Sequence, residues 1–515
     1  MRKTSNAYSD YETLEIVLNI NQMNIQNKHR TRTSSLTGYV PYPSNSEVDN
    51  IVGSLKFLEK PSITSDLFKI ALIIIDLVWR SLIIALTFTS TSLLSTFAFY
   101  ILNKNNENDK QAAFGIYLMM RCLLYSSFFY GAALKMSLAA SQSIGRGDDF
   151  AQSKKFLTQA TLMYIFYMLI AYLPYLFFSR QVLRLLGIST FIASGYYDIA
   201  WKALLGDFFD CVQLFLMQFC CSQRIESIFS LLTWINLATS VCLILVLDLI
   251  YGLSLDGWII GRTAFYFMNA AAFFFIYMTQ TDKDSRGFCS IPVAMKNFNL
   301  FLIDGLTYWL GNMMEFISWE TGVIFSTRTH DTTQIAAFGS MMNVSYIMCD
   351  TSMGFLNISR TRVNYLLGST LPKAAKKMGV LSLVSCLVPG TVFSILLYCF
   401  KDNVSMIYAS NHLEEKMYLI KLFSIYAFFM SIDIIVSLLT ALMRTANLVI
   451  FSSVVFLVVA VGGNTAICSY LYQTDRLTVI AILLSMYATL ASACVICTIK
   501  LFSIDWSHIE LVAAD

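Results

Sequence analysis

Met313-Met314-Glu315-Phe316-Ile317-Ser318-Trp319-Glu320 places two carboxylates inside an apolar run that begins near Phe301 and ends near Ser326. As a helix rising about 1.5 Å per residue, such a run is long enough to cross a bilayer. An acid is costly there, since an Asp at the centre of an inserted helix is disfavoured by about 2.5–3.5 kcal/mol. A carboxylate in this setting is read first as a functional group facing a bundle interior or a wet cavity. The structural alternative is an acid paired with a buried base, or simply protonated.

The remainder of the chain has the same character. Of 515 residues, 56% are hydrophobic and only 13% are charged, about half the charged fraction of soluble domains. The mean hydropathy is +0.61. Strands of alternating polarity separated by turns are absent, which removes an outer-membrane barrel. The fold class is therefore an all-α polytopic membrane protein. A net charge of +3 carries no nucleic-acid signal, because the basic residues are scattered through loops. Most of the twelve cysteines, among them Cys211, Cys220, Cys221, Cys349, Cys494 and Cys497, sit in apolar runs and behave as small hydrophobes. No nucleotide loop, metal set or nucleophile motif is present, so neither an enzyme nor a bound cofactor is expected.

Residues 1–65 are polar and read as a largely disordered cytoplasmic tail, with a short helix near Val52–Leu58. Apolar runs then follow near 68–102, 111–143, 156–179, 191–221, 227–251, 257–279, 299–326, 334–362, 376–400, 417–443, 449–472 and 477–502. These are twelve expected spans. Lys and Arg gather in the tail and at Lys154, Lys155, Lys283, Arg286, Lys373, Lys376 and Lys377, and are thinner at Lys104, Lys110, Arg180, Arg184, Arg328 and Lys401. The positive-inside rule then puts both termini in the cytoplasm.

An internal repeat divides the spans. Gly131, Gly145, Ala151 and Lys154 follow the second run, and Gly354, Gly368, Ala374 and Lys377 follow the eighth, each pair at the same offset. Six spans plus six gives halves of parallel orientation related by an axis along the membrane normal. The expected division is a six-helix lobe at 66–285, a second at 286–504 and a short tail at 505–515. Two such lobes enclose a central cleft and rock about it.

The segment Met314-Glu315-Phe316-Ile317-Ser318-Trp319-Glu320 resembles the Glu-x4-Glu signature of the multidrug and toxic compound extrusion (MATE) transporters in their eukaryotic form. Gly131 to Lys155 with Ser141-Gln142, the stretch Gly354-Phe355 to Lys376, and Tyr426-Ala427 with Asp433 resemble further segments of that family, in register from about residue 66 to 500. The resemblance implies two pseudo-symmetric lobes around a cleft and secondary active antiport. Its partners would be the lipid bilayer and a small organic cation or xenobiotic, exported for H⁺ or, in some members, Na⁺. It implies a monomer in a plasma, vacuolar or vesicular membrane. Glu315, Glu320 and Asp433 match the family's essential acids of the second lobe. Asn343 matches a frequently polar position, and Gln142 marks the end of the second span. Departures are Asn364-Tyr365, where the family usually has Gly-Asn, the missing eighth-span proline, and Lys135 and Arg360 at positions where small residues are typical. An added cation near the cleft would repel a cationic cargo or neutralise an acid. Two other readings follow: a lipid or lipid-linked flippase of the same superfamily, favoured by an arginine-rich cleft, and a transport-inactive interaction subunit.

A carboxylate taken out of water binds its proton more tightly, which suits a site that holds either a proton or a cation. Glu315 and Glu320 lie about 140° apart around a helix and cannot share one face. One can line the cleft while the other points into its own lobe toward Asp433. By resemblance, Glu315 is the group most directly coupled to transport. Accessory candidates are Trp319 and Tyr426, whose rings can face a cation or simply pack, and Asp76 and Asp350. Asp76 sits one turn from Arg80 and can pair with it. Asp350 lies shortly before Gly354, with Arg360 or Arg121 as its expected partner, while Asp207 and Asp210 have no assigned partner.

Overall fold

The computed structural model describes residues 67–509 apart from 106, 147–150, 186–187, 224, 226, 282–285, 330 and 410–412. The tail 1–65, the helix expected near Val52–Leu58 and residues 510–515 lie outside the described residues. Among the described residues the chain forms twelve long helical rods. In the first half these are α1 (Leu67–Lys104), α2 (108–146), α3 (151–185), α4 (Thr190–Ser222), α5 (Ser227–Tyr251) and α6 (Ser254–Gln280). The second half holds α7 (Phe298–Ser326), α8 (Thr332–Gly368), α9 (Pro372–Tyr408), α10 (Leu413–Thr445), α11 (449–473) and α12 (Val479–Ser503). Rods α2, α3 and α11 each widen into one π-helical turn, at Arg121–Ser126, Met168–Tyr172 and Phe456–Gly462. The helix starts follow local chemistry: Asp331 caps α8 by accepting from the N–H groups of Thr333 and Gln334, and Thr478 caps α12 by accepting from Ala481.

Ten of the rods are long and apolar enough to cross a membrane by length and composition alone. The other two, α7 and α8, run to 29 and 37 residues. They are diluted by Asp304, Asn312, Glu315 and Glu320, and by Asn343, Asp350, Asn357, Arg360 and Asn364. Their polarity fits their place. Rod α8 packs against α1 and α2 from the first half and against α9 and α10 from the second, while α7 lies on α2, α11 and α12. Between protein neighbours a polar side chain can find a partner, whereas on the lipid face it cannot. The outer rods carry the opposite signature, with Phe275, Ile170 and Leu249 exposed.

The glycines of the repeat meet across the seam between the halves. A Cβ on Gly145 of α2 would lie 2.5 Å from the Tyr365 carbonyl oxygen of α8, and one on Gly368 of α8 would strike the Gln142 carbonyl of α2. Likewise, a Cβ on Gly131 of α2 would sit 2.7 Å from the Trp309 nitrogen of α7, and one on Gly354 of α8 would strike the Ser81 backbone of α1. Repeat-related glycines thus make repeat-related contacts. Lipid tails are as apolar as leucine, so helices in a bilayer associate through close backbone packing, and small residues permit it.

Substituting Gly145 or Gly368 by Ala is expected to destabilise the protein by about 1–3 kcal/mol, the cost of overpacking against an immovable backbone. The two changes together should cost less than their sum, because one separation of α2 from α8 relieves both. Gly115 has open space around its Cα, and Gly115→Ala should leave the melting temperature in detergent unchanged or slightly higher.

Candidate functional site

Glu315 is buried and held on α10. Its Oε2 accepts from Arg444 Nη2 at 3.0 Å and from Thr440 Oγ1 at 2.9 Å, and its Oε1 accepts from Ser437 Oγ at 3.3 Å. The acid therefore has a buried base as its partner, the structural alternative raised by the sequence. It also faces the seam. A cavity of about 10 Å³ is lined by Glu315, Asn312 and Arg444 together with Tyr130 and Leu134 of α2, room for about one water.

The other two acids of the set carry no base. Asp433 of α10 is fully buried, and its Oδ2 accepts three hydroxyls, from Tyr426 at 2.7 Å, Tyr487 at 3.0 Å and Ser345 at 3.0 Å. Its Oδ1 makes no hydrogen bond. Glu320, on the α7 face that turns toward α8, accepts from Tyr346 at 2.6 Å through Oε1, while its Oε2 has no partner. Among the described residues neither acid forms an ion pair. Glu315, Glu320 and Asp433 are thus drawn into one region of α7, α8, α10 and α12 without bonding one another directly. Ser437 links two of them, touching the Glu315 carboxylate and the Asp433 carbonyl.

The accessory residues fall into distinct places. Tyr426 and Trp319 are almost wholly enclosed. Tyr426 serves as a hydroxyl donor to Asp433, and Trp319 packs edge-on to Phe316. Asp350 accepts from Ser92 of α1 rather than from Arg360 or Arg121. Asn343 accepts from Thr96 of α1 at 2.8 Å and from Tyr408 of α9 at 2.7 Å. With the Thr89–Thr351 contact at 3.2 Å, these form a ladder of polar links along α1 and α8. At the far end of that ladder Asp76 pairs with Arg80 at 2.9 Å and with Arg362 of α8. Gln142 donates to Asn364 at 3.4 Å, beside the glycine contact.

Several charged groups have partners that the sequence did not supply. Asp207 accepts from Arg121 Nε at 2.9 Å, from Arg262 Nη2 and from the Tyr117 hydroxyl at 3.2 Å, and Arg121 also holds Asp210. Two acids and two bases close this cluster within the first half. It adjoins the π turn of α2, where Cys122 lies within electrostatic reach of Glu320, Asp350, Asp210 and Arg121. Lys135, a departure that the sequence placed near the cleft, is matched by Asp304 of α7. Arg444 was missed, although Asp433, Ser437, Thr440 and Arg444 recur at one-face helical spacing in an otherwise apolar run.

No family model matches this chain, and no curated protein matches it in sequence. Solved structures do match. The eukaryotic MATE transporter AtDTX14 superposes with a TM-score of 0.70 at 15% identity, over 84% of this chain and 97% of its own. An outward-facing multidrug resistance MATE family transporter of the MOP superfamily gives 0.70 at 12% identity, over 83% and 95%. A MOP superfamily transporter from Pyrococcus furiosus, described as having a binding pocket of reverse polarity, gives 0.62 at 11% identity, over 82% and 97%. The chain therefore has a MATE-like fold, as the motif resemblance implied.

The Glu315–Arg444 pair can be separated from the unpaired acids by stability. Arg444→Met should destabilise the protein by about 3–5 kcal/mol, because it strands a buried carboxylate, and Arg444→Met with Glu315→Gln should recover most of that loss. Unfolding followed by tryptophan fluorescence in detergent checks both.

Proposed function

We propose that this chain, built on a MATE-like fold, is a secondary active antiporter that exports organic cations in exchange for protons as its two halves rock about their seam. The observation that carries the reading is Asp433, a buried carboxylate with three hydroxyls on one oxygen, none on the other and, among the described residues, no base paired with it. A proton can reside on Oδ1 without displacing any existing hydrogen bond. An ionised Asp433 leaves an uncompensated charge in a medium of low polarity, which a proton or a cation relieves. Glu320 shares the pattern through its unpartnered Oε2, and Asp350, held by a single hydroxyl, sits where α1 meets α8. Asp433, Glu320 and Asp350 are thus the groups assigned to proton and cation coupling. Glu315, closed by Arg444, takes part when the seam opens. Asn343 and Gln142 act as polar links between the halves rather than as cargo ligands.

The reading as a transport-inactive subunit draws on Lys135, Arg360 and Asn364-Tyr365, and the pairing of Lys135 with Asp304 weakens the first of these motives. The choice between H⁺ and Na⁺ falls to the same assay as the choice of cargo.

In proteoliposomes with an imposed pH gradient, the wild type should drive tetraethylammonium or cationic dye flux. Asp433→Asn should lose at least about tenfold of it, and Glu315→Gln should lose less. Flux in Asp433→Asn equal to wild type would remove the coupling role from that residue. An absence of flux for every cation tried, under pH or sodium gradients and with folded protein, would favour the interaction-subunit reading.

A further inference from the structure

Arg360 is not absorbed by the exchange reading. It lies on α8 at the seam, with 2% of its surface exposed. Among the described residues no carboxylate forms an ion pair with it. Its Nη2 donates to three neutral acceptors, Ser137 Oγ of α2 at 3.1 Å, Gln218 Oε1 of α4 at 2.8 Å and Asn357 Oδ1 at 3.0 Å. Its Nε and Nη1 make no hydrogen bond, and neither does Nδ2 of Asn364, one turn further along α8. Three N–H-bearing groups on one helix face are thus left without acceptors at a buried cation.

A guanidinium does not escape this by deprotonation, since it remains charged at any physiological pH. Removing such a charge from water is tolerated when a counter-charge meets it. The surrounding charges do not balance. Arg444 and Tyr308 lie within electrostatic reach of Arg360, Arg444 is matched by Glu315, and Lys135, which sits over the Tyr308 ring, is matched by Asp304. Three bases thus face two acids. The deficit is one negative charge, and the unfilled hydrogen-bonding capacity is all donor. Leu134 and Leu356, one turn before Ser137 and Arg360 on their helices, line the small cavity beside Glu315.

We propose that Arg360 anchors a binding site for one small monovalent anion in the seam between the halves, with Arg360 Nε and Nη1 and Asn364 Nδ2 as its donors. The anion supplies the missing charge and accepts the orphaned N–H groups in one step. Charge-assisted hydrogen bonds of this kind are the strong ones. The guanidinium is positioned by Ser137 and Gln218 from the first half and by Asn357 from the second, so the site is whole only while the seam is closed. An anion bound there favours the closed arrangement by as much as its affinity for the two arrangements differs. This inference does not depend on which cargo is exported or on which ion drives export.

The test uses the full-length protein in detergent or nanodiscs, at constant ionic strength with gluconate as the inert anion. Radiolabelled chloride should bind saturably, near one per chain, and bromide should displace it. Arg360→Met should weaken chloride binding at least about tenfold. Glu315→Gln, which enlarges the deficit of negative charge, should tighten it, and a purely structural arginine would not produce that opposite response. Acetate and inorganic phosphate are the competitors that separate a halide from a carboxylate or a phosphate source, and displacement by any of them supports the site and names its ligand. Absence of saturable chloride binding to the wild type overturns the proposal, as does an affinity unchanged in Arg360→Met. If Arg360→Met does not fold, an unchanged chloride affinity in Glu315→Gln overturns it instead.

Discussion

The backbones of α2 and α8 touch at Gly145 and Gly368, and the polar interior of the molecule is arranged around that contact. In a bilayer no hydrophobic force draws one helix to another, so surfaces that interlock at van der Waals distance must hold the halves. Close approach has a second effect. It brings the polar side chains of neighbouring turns together with no space for water, and they must satisfy one another. Gln142 reaches Asn364, Ser369 donates to the Gly145 carbonyl at 2.8 Å, and Tyr365 donates to the Ser222 carbonyl. The glycine contact and the polar contacts are therefore one feature: backbone proximity fixes which dipoles meet.

Within that frame, the charges between the rods sort into two kinds. Asp207 with Arg121 and Arg262, Asp76 with Arg80 and Arg362, Lys135 with Asp304, and Glu315 with Arg444 are closed sets. Two of these, Asp76 with Arg362 and Lys135 with Asp304, run across the seam, one on α1 and α8 and the other on α2 and α7. The enclosed pairs, Asp207 with Arg121 and Arg262 and Glu315 with Arg444, break even at best against apolar packing, but losing one partner is costly. They therefore select a register more than they add stability. Among the described residues Asp433, Glu320 and Asp350 on the acidic side and Arg360 on the basic side form no ion pair, and these are the groups to which the proposed exchange and the proposed anion site are assigned.

The membrane class, the twelve helical segments and the repeat were legible because each is written as a long pattern: apolar runs near twenty residues or more, and glycines at a constant offset. The partners of the charges were not, because pairing depends on helix rotation and on distant segments. Asp207 and Arg262 are far apart in sequence and belong to different rods. Even so, part of the missing information lay in the sequence. Asn343, Asp350, Asn357 and Asn364 recur every seven residues along α8, and Asp433, Ser437, Thr440 and Arg444 mark one face of α10. A polar stripe of helical period in a membrane rod shows which face meets protein, although not which residue it meets. Arg444 belongs to the α10 stripe, and Glu315 meets three members of that stripe at once.

Glu315 and Asp433 illustrate how two acids in one half acquire different surroundings. The hydroxyls around Asp433 come from α8, α10 and α12, all in the second half, so its surroundings survive separation of the halves. Glu315 lies against Tyr130 and Leu134 of the first half through the small cavity at the seam. Separation would admit water to the Glu315–Arg444 pair, and the attraction between unit charges falls several-fold as the effective dielectric rises. The proposed opening thus loosens the Arg444 hold on Glu315 while leaving the Asp433 hydroxyl cage intact. The acid that the motif singles out is conditional on the seam, and the acid one helix away is not. The proposed exchange of a cation in one arrangement of the halves for a proton in the other calls for one group of each kind, and the roughly 140° that separates Glu315 from Glu320 on α7 turns Glu320 to Tyr346 of α8, apart from the conditional carboxylate.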